Sequence, residues 1–124
     1  MKKKFKLGVI GAGFMATSII NGAIKNAIVD KSDIIVSDIS QVSLEKISKL
    51  GVNTSLSNAE IITNSEFVLF AVKPQNLNDL LNELSVFSRE ELKLISIMAG
   101  VKKNKIKGLL KNSKVARCMP NTPC

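Results

Sequence analysis

The sequence has no histidine, no tryptophan and no tyrosine, and only two cysteines among 124 residues. Without histidine there is no Ser-His-Asp arrangement, and Cys118 and Cys124, with no second pair, complete neither a metal cluster nor a disulfide framework. Both read as free thiols of a reducing compartment. Five phenylalanines are the whole aromatic content, so no interleaved set is available for stacking on bases. The excess of 18 Lys and Arg over 10 Asp and Glu, a formal net charge of +8, could point to nucleic acid, a membrane or a polyanionic small molecule. Lys2, Lys3, Lys4 and Lys6 open the chain, while Lys102, Lys103, Lys105, Lys107, Lys111 and Lys114 surround one short segment near its end. That distribution reads as a solvated lysine-rich surface. No apolar run approaches the roughly 20 residues of a membrane span. The opening, MKKKFKLGVIGAGFMATS, imitates a secretory leader, but Gly8, Gly11 and Gly13 weaken a short helical core and two of them suit a strand-to-helix turn. The expectation is a cytoplasmic protein with no nucleic-acid and no membrane partner.

What the sequence does contain is short apolar runs alternating with helix-period segments, the pattern of βαβ units on a parallel sheet. Strands are expected at Lys6–Ile10, Ile34–Ser37, Val52–Thr54, Phe67–Val72, Leu94–Met98 and Val115–Cys118. Runs this rich in Ile, Val, Leu and Phe suit strands covered on both faces. Ala16, Ile19, Ile20, Ala23 and Ile24 keep the spacing of an amphipathic helix, as do Leu77, Leu80, Leu81 and Leu84. Leu44, Ile47 and Leu50 define a third helix that stops at Gly51, and a weaker one is expected over Lys103–Leu110. The fold class is α/β, a doubly wound parallel sheet of one domain over residues 1–124.

The chemistry centres on Gly11-Ala12-Gly13-Phe14-Met15-Ala16, a G-x-G-x-x-A element that follows the first strand and opens the first helix. Gly11 permits the tight turn, Gly13 lets backbone approach a pyrophosphate, and Ala16 lets helix lie close to strand, while the helix directs its N-terminal N–H groups at the phosphates. Together these imply a Rossmann-type dinucleotide-binding domain. Asp38, about 25 residues beyond Gly13 at the end of the second strand, is placed to accept hydrogen bonds from ribose hydroxyls. Ile39 stands where an arginine would favour a 2′-phosphate, so Asp38 leans toward NADH, while Ser37 and Ser40 keep NADPH open. The plainer role for Asp38 is to cap a helix beginning near Val42. Ala71-Val72-Lys73-Pro74 and Ala99-Gly100 leave two further strands at their carboxyl ends, where ligands of such sheets sit. Pro74 should hold Lys73 extended.

The segments VIGAGFMATSII, SNAE, FAVKPQ, SIMAGV and RCMPNTP occur in an order and spacing that resembles the pyrroline-5-carboxylate reductases over essentially the whole chain. The resemblance implies reduction of 1-pyrroline-5-carboxylate to L-proline with NADH or NADPH. It implies that Ile10, Gly11, Ala12, Gly13, Phe14 and Met15 line the pyrophosphate, with Ser37 and Asn58 on the adenosine side. Asn58 is otherwise a helix cap. Ala71, Val72, Lys73, Pro74, Ile97, Met98 and Ala99 are implied along the nicotinamide half, and Met98 replaces the small residue more common there. Met119, Asn121 and Thr122 are implied near nicotinamide or substrate. Family members continue into a helical domain that forms the dimer and closes the substrate pocket. The expectation is therefore that this chain is the cofactor part, monomeric and inactive alone, with the catalytic residue elsewhere, no metal, and a homo-oligomer in the full protein. Three other readings stay open: a β-hydroxyacid or prephenate type of dehydrogenase, a stand-alone nucleotide-binding module, and, from charge alone, a nucleic-acid binder.

Overall fold

Strand β2 (Ile34–Ser37) is buried at all four positions, because four small or branched side chains in succession have both faces covered. A computed structural model describes residues 3–87, 91–97, 106, 110 and 114–117. Around β2 it assembles β1 (Phe5–Ile10), β3 (Asn53–Ser55), β4 (Ser65–Phe70), β5 (Lys93–Ser96) and β6 (Lys114–Arg117). All six pair in parallel in the order β3-β2-β1-β4-β5-β6. The order in which successive strands are added reverses between β1 and β4, the position at which ligands enter open sheets of this kind. The doubly wound expectation is met.

Alternation along the strands divides the core into two layers. Val9, Ile34, Val36 and Leu69 face α1 (Phe14–Lys25) and α2 (Gln41–Ser48), which contribute Ala16, Ile20, Leu44 and Ile47. Ile10, Ile35, Val68 and Phe70 face α3 (Asn58–Asn64) and α4 (Leu77–Leu84), which contribute Ile61, Ile62 and four leucines of the α4 stripe. Ser40 caps α2 by accepting from the Ser43 N–H, and Ser57 caps α3 by accepting from the Glu60 N–H. Gly51, at φ +89, follows α2 after the Lys49 cap and carries the left-handed turn that a side chain resists.

Several boundaries differ from the sequence reading. The strand expected at Phe67–Val72 runs Ser65–Phe70, because Ala71 turns away from the sheet once its N–H has met the Ile10 carbonyl at 2.8 Å. Strand β5 ends at Ser96 instead of Met98, and β3 begins one residue late. Helix α3 carries no periodic signal and is anticipated only by the reading of Asn58 as a helix cap; it is seven residues long and shows the core just two buried isoleucines. Of the helix expected over Lys103–Leu110, Ile106 and Leu110 are described, both buried, and Ile106 is helical. Among the described residues no helix is long and apolar enough to cross a membrane.

Candidate functional site

The loop after β1 is built by two close backbone approaches. The Gly11 N–H donates to the Ser37 carbonyl at 2.8 Å, joining the ends of β1 and β2. A Cβ on Gly11 would stand 2.6 Å from the Ala71 carbonyl oxygen, and its φ is +111, so glycine is required there on both counts. Gly13 differs. Its φ is −79 and a Cβ there would meet nothing within 4 Å, so its missing side chain leaves open space over the start of α1. Helix α1 has no capping side chain and no acidic residue in its first turn. No side chain of the helix itself therefore meets its first-turn N–H groups or its positive dipole end.

Asp38 closes the loop from the side. Its Oδ2 accepts from the Ala12 N–H at 2.8 Å and its Oδ1 accepts from the Ser40 N–H at 2.8 Å. The plainer reading of Asp38 as the cap of α2 is thus corrected: Ser40 is the cap, and Asp38 ties the exit of β2 to the glycine loop. Two carboxylate oxygens offer about four lone-pair sites, so both retain capacity toward a ligand. Asn58 is likewise not a cap, since Ser57 holds that position and Asn58 is the first residue of α3. Its Oδ1 accepts from the Ser37 hydroxyl at 2.7 Å and its Nδ2 donates to Glu83 Oε1 of α4 at 3.3 Å. Lys73 is extended at φ −68 and ψ 143 ahead of Pro74, as the steric clash with the proline ring requires.

These elements enclose a cleft of about 630 Å³ at the carboxyl edge of the sheet. Ile10, Gly11, Ala12 and Gly13 form one side, Ser37, Asp38 and Asn58 the second, and Ala71, Val72 and Lys73 the third. Ten of the residues singled out from sequence thus meet in one place. Phe14, Met15, Pro74 and Ile97 do not line it; Phe14 projects outward, 85% exposed, and Ile97 lies past β5 with its N–H toward the Phe70 carbonyl at 3.4 Å. Met98, Ala99, Met119, Asn121 and Thr122 lie outside the described residues.

Sequence reasoning missed the fourth wall. Asn76, Asp79, Leu80 and Glu83 come from the turn before α4 and from α4 itself, and Ser43 comes from the first turn of α2, beside the Ile39 that the sequence had already placed near the ribose. The one available signal was the α4 stripe: with the leucines facing the core, Asp79 and Glu83 share an adjoining face four residues apart. Among the described residues the cleft is consequently lined by three carboxylates, Asp38, Asp79 and Glu83, and one ammonium, that of Lys73. Among the described residues no cluster of His, Cys, Asp and Glu could hold a metal.

Comparison with known proteins places this geometry. Residues 6–100 match the family model described as NADP oxidoreductase coenzyme F420-dependent. A pyrroline-5-carboxylate reductase of Methanosarcina acetivorans is 39% identical over 118 residues, which is 94% of this chain and 44% of that protein. The structure of a pyrroline-5-carboxylate reductase from Coxiella burnetii superposes with a TM-score of 0.87 at 34% identity, over 98% of this chain and 46% of its own. That of Plasmodium falciparum pyrroline carboxylate reductase with NADP bound gives 0.78 at 26% identity, over 100% and 45%. The chain spans less than half the length of each of these relatives. It belongs to the NADP oxidoreductase, coenzyme F420-dependent family, and within it resembles, along nearly its whole length, the cofactor-binding domain of the pyrroline-5-carboxylate reductases.

Proposed function

We propose that this chain is the dinucleotide-binding part of an NAD(P)H-dependent reductase that converts 1-pyrroline-5-carboxylate to L-proline. The observation that carries the reading is the open space at Gly13 over the uncapped start of α1. A pyrophosphate fits there: α1 has 12 residues, enough for a developed dipole, and backbone N–H groups bind an anion without help from lysine. Similarity to relatives named for this reaction supports the substrate, and a neighbour with NADP bound supports the cofactor class.

In this reading Ile10, Gly11, Ala12 and Gly13 hold the pyrophosphate, flanked by Phe14 and Met15. Ser37, Asp38 and Asn58 hold the adenosine ribose. Ala71, Val72, Lys73 and Pro74 are assigned to the nicotinamide half with Ile97, Met98 and Ala99, and Met119, Asn121 and Thr122 to the neighbourhood of the nicotinamide or substrate. The reduced nicotinamide, when bound, would supply a hydride to the carbon of a protonated imine, whose C=N π pair passes to nitrogen to give the ring amine of proline. The chain's own contribution is orientation. The Gly11–Ala71 approach fixes the distance between the two strand exits, and the Asp38–Ala12 bond fixes the loop that aims the α1 N-terminus. Such alignment suits an imine, which is already electrophilic and asks for positioning more than for a strong acid or base. The proposal also places the protein in the cytoplasm, where reduced dinucleotides circulate, and assigns substrate closure and homo-oligomer contacts to residues other than those of the cleft.

Calorimetric titration of the 124-residue chain with NADH and with NADPH tests the first part, and saturable binding of at least one is expected. Failure of both to bind removes the dinucleotide reading. Oxidation of either cofactor dependent on pyrroline-5-carboxylate tests the second part, and this chain is expected to bind cofactor without turnover. Steady reduction by a 13.4 kDa monomer would show that the site is complete within these residues.

A further inference from the structure

Three side chains from three elements form a directed relay at the ribose side of the cleft. Ser37, at the end of β2, is 0% exposed, and its hydroxyl donates to Asn58 Oδ1 at 2.7 Å. Asn58, at the start of α3, donates through Nδ2 to Glu83 Oε1 of α4 at 3.3 Å. An ionised carboxylate only accepts, so Glu83 decides which end of the Asn58 amide faces it. The amide oxygen is then left toward Ser37 and claims the serine proton. The Ser37 proton and one Asn58 N–H are engaged inside the relay, which leaves the second Asn58 N–H and the Ser43 hydroxyl as donors on this side. Against them stand the carboxylates of Asp38 and Glu83, so acceptors and negative charge predominate.

A wall in which carboxylate acceptors predominate matches a ribose diol, whose two hydroxyls donate, and mismatches a phosphate ester, which presents oxygen acceptors and negative charge. Resting on the dinucleotide reading above, we propose that Glu83 is a specificity-determining, positioning residue: acting through Asn58 and Ser37, it makes the cleft favour the unphosphorylated dinucleotide over its 2′-phosphorylated form. Glu83 lies 45 residues after Asp38, on a different helix from any residue of the glycine motif. It acts on donor direction as well as on charge.

The test compares the affinities of ADP-ribose and 2′-phospho-ADP-ribose, probes that reach only the adenosine half, by calorimetry on the 124-residue chain. In the wild type ADP-ribose should bind more tightly. Glu83→Gln keeps size and shape at an exposed position, but its amide can donate, so Asn58 is free to turn its N–H groups toward Ser37 and the cleft. The ratio should move about tenfold toward the 2′-phosphorylated probe, since one hydrogen bond to a charged group is worth about 1.5 kcal/mol or more. High salt separates relay from plain repulsion: exposed charges are screened, whereas a reversed donor is not. The shift should persist in high salt and disappear in an Asn58→Ala background. An unchanged ratio in Glu83→Gln, or a shift abolished by salt, overturns the assignment while leaving dinucleotide binding intact. Failure of the wild type to bind either probe overturns both.

Discussion

The two edges of the sheet solve different problems. At the carboxyl edge the chain leaves β1, β2 and β4 tied by a few contacts, at Gly11, Asp38 and Asn58, around a cleft lined among the described residues by three acids and one lysine. Toward the amino edge the same sheet is filled. A Cβ on Gly8 in β1 would stand 2.6 Å from Ile61 Cγ2 and nearer still to Ser65 Oγ, where α3 hands over to β4. Charge divides the same way: Lys6, Lys93 and Lys114 sit at or near the starts of β1, β5 and β6, with the ammonium groups of Lys6 and Lys93 5.6 and 5.2 Å from the Phe67 ring centre. A net charge of +8 therefore says nothing about the cleft, and a glycine in β1 says nothing about ligands until its neighbours are known. Gly8, Gly11 and Gly13 fall within six residues of each other and are there for three reasons: close packing, backbone conformation and empty space.

Substitutions that fill each space in turn would break this contrast. Gly11→Ala has the largest expected effect, about 3 kcal/mol of stability, because it combines a left-handed φ with a backbone oxygen that cannot yield; chemical denaturation and cofactor titration should both register it. Gly13→Val should lower dinucleotide affinity about a hundredfold, close to 2.7 kcal/mol, with little change in melting temperature, since a Cβ there meets no protein atom within 4 Å. Equal affinity for wild type and variant would mean that the space at Gly13 is not where the cofactor lies. Gly8→Ala should cost about 2 kcal/mol by overpacking, and affinity per folded molecule should not change; a loss of affinity in the folded fraction would show that the two edges are coupled.

The smaller effects sharpen the comparison. Asp38→Ser removes a charge from the ribose side and the bond to Ala12, and should move the NADH to NADPH affinity ratio toward NADPH by less than about tenfold; an unchanged ratio would leave Asp38 a purely structural tie. Ser65 Oγ is buried and has no hydrogen-bond partner among the described residues. Ser65→Ala should therefore leave stability equal or raise it by up to about 1 kcal/mol, and a clear loss in urea denaturation would reveal a partner for that hydroxyl.

Sequence alone determined the layers and the loop. Runs such as Ile34–Ser37 and the leucines of Leu77–Leu84 coincide with β2 and α4, because burial on two faces or on one stripe writes its period directly into the residue types. The glycine motif likewise fixed where a dinucleotide reading should look, since turn geometry is a local property of the backbone. Tertiary structure alone decided what the polar residues do. Asp38 meets Ala12 across 26 positions, Ser37 meets Asn58 across 21, and Asn58 meets Glu83 across 25. Nothing local distinguishes Asp38 from a helix cap or Glu83 from a solvated acid on an exposed face. A hydrogen bond between distant segments is set by the pairing of strands and the seating of helices, and its two ends carry no shared period for a sequence to display.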